Sequence, residues 1–184
     1  MFMWLVIILV IIVLLALYVI GTYNGLVQAK NKVKDQFSQI DVQLKRRFDL
    51  IPNLVETVKG YVKHENETLE KVIQARNNYA NAKTEAEKVE ASNEMSRDVV
   101  NIMALAESYP ELKANTNFMD LQNQLKEVED KIGYARQFYN DTVLMYNNKV
   151  EMFPGNLIAS MFNFKKEVFF EANEMERENV QVKF

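Results

Sequence analysis

Carboxylates stand at helical spacing along most of this chain, and in a helical bundle such residues can hold a pair of iron or manganese ions. That chemistry needs a Glu-x-x-His pair on each of two helices, with further glutamates completing the site. The chain has a single histidine, His64, which excludes the set. His64 also lacks the second histidine of a zinc-protease helix, and no serine or cysteine is paired with it by spacing. It reads as a surface residue, with pH sensing as its functional alternative. The absence of cysteine removes thiol catalysis, thiolate zinc sites and disulfides. No metal, cofactor or small-molecule substrate is expected, and the chain reads as a non-enzyme.

Residues suited to gripping another protein are easier to find. Lys45-Arg46-Arg47 is the densest basic cluster, and Asp41 and Asp49 lie beside it on the same helical surface. Acids at that spacing form local pairs worth only a few tenths of a kcal/mol, so the bland reading is a solvated, internally paired face. The functional reading is a docking patch for an acidic partner or an adjacent subunit. Nucleic acid is not expected, because the net charge is −3 and no basic groove interleaved with aromatics is visible. Pro52-Asn53 stands a few residues further on. A proline inside a helix costs roughly 3 kcal/mol and leaves the carbonyl of Phe48 without its usual donor, which suggests either a compensated kink or a partner site.

These residues need helices to position them. Every residue from Met1 to Ile20 is apolar, and at about 1.5 Å per residue the run matches a hydrocarbon core of roughly 30 Å. The run is too long for a cleavable signal and has no basic start, so residues 1–22 read as a retained transmembrane anchor in the bilayer. Lys30, Lys32 and Lys34 after the span favour a cytoplasmic position for the remainder of the chain, with the extracytoplasmic side as the alternative. Residues 24–50 carry six Lys/Arg against three acids, whereas residues 51–184 carry 16 against 22. That gradient suits a domain held off an anionic surface.

Beyond the anchor, residues 23–184 predict one elongated antiparallel helical bundle of three long helices with a short C-terminal helix or tail. The class is all-α. Leu44, Phe48, Ile51, Val55, Val58, Val62, Glu65, Leu69 and Val72 keep one phase across Pro52, with Glu65 the one polar member, which predicts a single kinked helix over residues 23–80. Thr84 and Glu87 have the form of a capping box and open a second helix over 84–109. Pro110 ends it, residues 110–116 form a connector, and Asn117 caps a third helix over 117–153 faced by Leu121, Leu125, Val128, Ile132, Tyr139, Val143 and Tyr146. Gly60 and Gly133 suggest close helix approach, and Tyr139 and Tyr146 read as core residues whose hydroxyls need partners.

Pro154-Gly155 stops the third helix, and residues 154–184 form the short helix or tail, with a weak alternating pattern at Val180–Phe184. Three helices counted outward from the bilayer place Pro154 at the distal end. On that geometry the apolar run containing Phe162, Phe164, Phe169 and Phe170 packs back on its own bundle or meets another subunit, and membrane insertion is disfavoured.

Several stretches together resemble the LemA family of bacterial membrane-anchored helical proteins. They are Gln39-Ile-Asp-Val-Gln-Leu-Lys-Arg-Arg-Phe-Asp-Leu-Ile-Pro-Asn-Leu-Val-Glu-Thr-Val-Lys-Gly-Tyr61 with His64-Glu65, then Tyr109-Pro-Glu-Leu-Lys-Ala-Asn-Thr-Asn-Phe118 with Leu121-Gln122, and the run from Ala135-Arg136 through Tyr139-Asn140, Tyr146-Asn147 and Phe153-Pro154 to Phe169-Phe170-Glu171. The chain departs from the family at Gln36-Phe37, where Ala-Trp is common, and at Asn179-Val180, where Val-Pro often stands. The resemblance implies a single-pass membrane protein with a helical bundle and brings no catalytic residues. The function expected is a membrane-tethered scaffold that meets protein partners, copies of itself among them. The alternatives are a regulatory adaptor in envelope signalling or proteolysis, and an enzyme or metal protein with an unrecognised carboxylate site.

Overall fold

A computed structural model describes residues 2–62 and 65–170. Among them the backbone forms six α-helices and no strand: α1 (Phe2–Lys59), α2 (Asn66–Asn81), α3 (Glu85–Ala106), α4 (Pro110–Lys113), α5 (Thr116–Glu151) and α6 (Gly155–Met161). The expected all-α class and helical packing are what the chain adopts. His64 and the Val180–Phe184 pattern lie outside the described residues. The chain divides into two compact units, one of residues 2–39 with 135–169, the other of residues 40–134 with Phe170.

In the second unit the long first helix ends sooner than the apolar rhythm predicts. It stops at Lys59, where the amides of Tyr61 and Val62 both donate to the Val58 carbonyl, at 2.9 and 3.2 Å. Gly60 lies at this break, and a glycine inside a helix costs about 1 kcal/mol relative to alanine. The chain then turns back. The Tyr79 hydroxyl donates to Asp41 at 3.1 Å and the Tyr79 ring lies 5.7 Å from that of Phe48, so α2 runs antiparallel to α1. Leu69, Val72, Ala75 and Tyr79 are buried in phase with Leu44, Ile51, Val55 and Val58, which is why the sequence rhythm resumes unchanged after the single polar position at the turn, Glu65.

The capping box is present. The Thr84 side chain accepts from the Glu87 amide, and the Glu87 carboxylate accepts from the Thr84 amide, both at 3.2 Å. That carboxylate also accepts from the Lys83 amide, and these backbone donors hold its pKa below the usual carboxylate value. α3 runs parallel to α1, as Lys88 to Asp41 at 2.9 Å shows. Pro110 opens the four-residue α4 inside the expected connector, at a helix start where its missing amide costs nothing. The cap of α5 is Asn115, two residues before the expected Asn117: its side-chain oxygen accepts from the Phe118 amide at 3.0 Å.

In the first unit α5 runs antiparallel to α1. Phe37 meets Tyr139 edge-on with centroids 5.9 Å apart, while beyond the end of α5 Gly155 comes against Thr22. The core tyrosines find the partners that burial demands: Tyr139 donates to the Val168 carbonyl at 3.0 Å and Tyr146 to that of Lys165 at 2.8 Å. Between them Asn147 exchanges two 2.9 Å hydrogen bonds with the backbone of Glu167. Burial, and then the Glu167 charge, push the Tyr146 hydroxyl above its ordinary pKa.

α6 buries Ile158 and Ala159 against Leu26, with Val19, Val150 and Phe164 around them. Its end is closed by the Phe164 amide to Ala159 and the Asn163 amide to Ser160, with Asn163 in the left-handed region at φ 58°, the pattern in which a helix terminus satisfies its last carbonyls. The segment expected at the distal end therefore lies beside the start of the chain. The break at Gly60 is the reason: one more reversal of direction sends α5 back along α1 instead of away from it.

In the apolar run at the start of α1, residues 2–18 and 20 are exposed and Val19 alone is partly covered; α1 contains a stretch long and apolar enough to cross a membrane, with mean hydropathy 3.3. Close approach does not explain Gly60 at the turn or Gly133 within α5, since a Cβ on Gly133 meets no atom within 4 Å and one on Gly60 makes only ordinary contact at 3.6 Å. Gly133→Ala should therefore raise stability by about 1 kcal/mol, seen as a rise of about 2–4 °C in thermal melting followed by circular dichroism.

Candidate functional site

Arg47 was expected on the surface with Lys45 and Arg46. It is 1% exposed. Its guanidinium donates to the Ser92 carbonyl at 3.0 Å, to the Ser92 hydroxyl at 3.2 Å, to the Ser96 hydroxyl, and to the Glu129 carboxylate. One side chain of α1 thus binds acceptors on α3 and α5. A buried charge is tolerated only when paired and fully hydrogen-bonded, and a planar guanidinium can satisfy several acceptors in one plane. Leu44, Arg47, Ile51 and Leu54 share the i, i+3, i+7, i+10 face of α1, and the other three are buried. That phase was the sequence signal for a core arginine.

Its neighbours in sequence behave differently. Lys45 is exposed, pairs with Asp49 and lies 4.8 Å from the Phe48 ring centre. Arg46 is exposed and reaches Glu127 at 3.9 Å. Lys45, Asp49, Pro52 and Asn53 fall on one exposed stripe of α1, with Val42 and Arg46 alongside. The carbonyl that Pro52 deprives of its amide is not open to a partner: the Arg76 guanidinium donates to Phe48 O at 3.4 Å and stacks 4.0 Å over the Phe48 ring. α1 consequently continues as α-helix through Pro52. Arg76, Ser92, Ser96 and Glu129 are the residues that sequence reading did not reach, because each is placed by long-range packing.

The aromatic candidates separate as well. Phe162 and Phe169 are exposed, Phe164 is half-buried and Phe170 is buried. Tyr23 lies 4.8 Å from Phe162 and 5.7 Å from Phe164, ring centre to ring centre. These rings gather in the first unit beside the end of the apolar run.

Two further places could carry chemistry. A polar groove of about 260 Å³ is lined by Lys71, Gln74, Ala75, Asn78, Glu94, Arg97 and Asp98. Burial, and then the neighbouring Glu94 charge, raise the Asp98 pKa against the opposing pull of Arg97 and Lys71. Desolvation and the Asp41 charge likewise push the Tyr79 hydroxyl far above its ordinary value. Among the described residues no three His, Cys, Asp or Glu side chains gather as a metal would need. An apolar groove of about 450 Å³ between α3 and α5 is lined by Val99, Val100, Met103 and Leu125, with Glu129 on its rim.

A family model described as the LemA family matches residues 36–184. The chain belongs to the LemA family. The match takes in the Arg47 network and α6. Protein LemA of Metamycoplasma hominis is 29% identical over 164 residues, 88% of this LemA-family chain and 74% of that protein. Magnetosome protein MamQ 2 of Paramagnetospirillum magneticum is 30% identical over 70 residues, 38% of this chain and 26% of its own length. Magnetosome protein MamQ of Magnetospirillum gryphiswaldense is 26% identical over 69 residues, 38% of this chain and 25% of its own. With the apolar helix, LemA membership makes this a membrane-associated protein, and the match assigns it no reaction.

Arg47→Ala should cost about 2–4 kcal/mol, because it empties a buried site and leaves the Ser92 and Ser96 acceptors without their donor. Glu129→Gln should cost less, because the Glu129 side chain is 45% exposed and the serines still hold the guanidinium; chemical denaturation of both variants measures the order. Asp98 has a raised folded pKa, so its contribution to stability is present in acid and is lost as pH rises through that pKa. Asp98→Asn should therefore raise the melting temperature at pH 7 and leave it unchanged below the ordinary carboxylate range.

Proposed function

We propose that this LemA-family protein is a non-enzymatic, membrane-tethered helical scaffold that associates with copies of itself through the outer face of α5. The carrying observation is the exposure of Phe138 and Met145, 61% and 67%, spaced by one heptad on a helix whose core face, about a third of a turn away, holds the buried Tyr139, Val143 and Tyr146. Apolar residues seven apart and facing water are what a helix presents to a second helix. A two-fold arrangement would place the same row of both copies in contact, and tethering to one bilayer raises the local concentration of copies.

The exposed stripe of Lys45, Arg46, Asp49, Pro52 and Asn53 is the surface offered to a different protein. Its mixed charges and apolar Val42 suit a polar-rimmed, moderate-affinity contact. The helices after the span lie on the cytoplasmic side, supported by Lys30, Lys32 and Lys34, which resist translocation.

The chain's lack of cysteine makes one experiment sufficient. Met145→Cys in native membranes should yield a cross-linked dimer with a permeant bis-maleimide, and should do so with an impermeant one only after the cells are opened. Glu90→Cys, exposed on α3, is the comparison. Equal cross-linking at the two positions would overturn self-association through α5, and cross-linking by the impermeant reagent in intact cells would overturn the orientation.

A further inference from the structure

We propose that α6 and the turn before it form a second membrane contact, lying in the headgroup and upper acyl zone of the same bilayer that α1 crosses. The proposal rests on α1 spanning that bilayer and is independent of how α5 is covered.

Helix α1 acts as a ruler. It is unbroken from Phe2, and the twenty steps to Thr22 at about 1.5 Å each come to roughly 30 Å, the thickness of the hydrocarbon core. Residues 19–23 consequently mark the level at which the chain leaves the lipid interior. α6 is fastened at that level. Val19 packs on its Ile158 and Ala159, a Cβ added at Gly155 would lie 3.9 Å from the Thr22 methyl, and Phe162 stacks near Tyr23. A cleft of about 380 Å³, bounded by Thr22, Gly25, Lys149, Met152, Phe153 and Gly155, runs between the turn and α1.

The side chains left outward at this height are apolar. Phe153 is 79% exposed and Met161 70%, and Met152, Leu157 and Phe162 are exposed with them. In water that is a poor surface for so short a segment, whereas at a lipid boundary aromatic and long aliphatic groups are the expected composition. The patch also adjoins the apolar run of α1, since Val19 packs on Ile158 and Ala159 and the residues on either side of it, Tyr18 and Ile20, are exposed. Lys149, Lys165 and Lys166 are exposed around the patch, and the nearby acids Glu151 and Glu167 are paired with Lys166 and Lys30. The balance is positive, which suits anionic headgroups. These features select the bilayer over a second copy of the chain as the occupant.

The full chain reconstituted in vesicles of phosphatidylcholine and phosphatidylglycerol provides the test. Trp4 is the single tryptophan and lies in the span, so its quenching by brominated lipids in the unmodified chain reports that the anchor is inserted. In a Trp4→Phe background, Phe153→Trp should emit to the blue and lose most of its intensity to lipids brominated near the headgroup. Val42→Trp, about 30 Å further along α1, should emit to the red and keep its intensity. If Trp4 is quenched while the probe at 153 behaves like that at 42, the proposal fails although the anchor stands. Blue-shifted emission without quenching would also overturn it, since protein and not lipid would then cover the turn. Should Phe153→Trp lose helical circular dichroism, Leu157→Trp carries the same expectations.

Discussion

A guanidinium buried away from water must be surrounded by acceptors, and that requirement organises the unit built around Arg47. The charge sits on α1, two serines of one face of α3 supply a carbonyl and two hydroxyls, and a carboxylate from α5 supplies the counter-ion. Three helices are fixed in register by a single side chain. Apolar packing alone leaves neighbouring helices free to slide by a turn at modest cost, whereas a slide here would strand a charge. Phe48 adds a second fastening, since Arg76 both covers its ring and supplies the donor that Pro52 withholds. The proline is thus accommodated without ending the helix, and α2 is drawn against α1 by the repair.

Much of this was readable from the residues alone, and the failures have definite causes. The long apolar helix at the start of the chain, the capping box at Thr84 and the core face of α5 follow from local spacing, and all three are where spacing puts them. The turn at Gly60 was hidden because α1 and α2 bury the same kind of stripe in the same phase, so periodicity marked the reversal only by the single polar position Glu65. That one omission inverted the direction of α5 and moved Phe162 from the far end of the bundle to the edge of the anchor. A parity error of this kind is discrete: every helix can be identified correctly and the final segment still be placed at the wrong end.

The basic cluster shows the complementary limit. Lys45, Arg46 and Arg47 are equivalent by composition, yet rotation by about 100° per residue gives them different fates, with Arg47 turned toward the core and its neighbours toward water. The heptad phase carried that distinction. Its partners could not be read in the same way, because Ser92, Ser96 and Glu129 are ordinary helix residues until folding brings them to the guanidinium. Gly133 is the opposite case: a residue that suggested tight packing stands in open space, and its chemistry finds no explanation in its surroundings.

The segment from Lys165 to Val168 carries a further implication. It is neither helix nor strand, and three of its carbonyls and one amide are met by phenol and amide groups of α5, with Asn147 both giving and receiving a hydrogen bond. Three side chains of one helix thus take up backbone groups that a free segment would offer to the backbone of another chain.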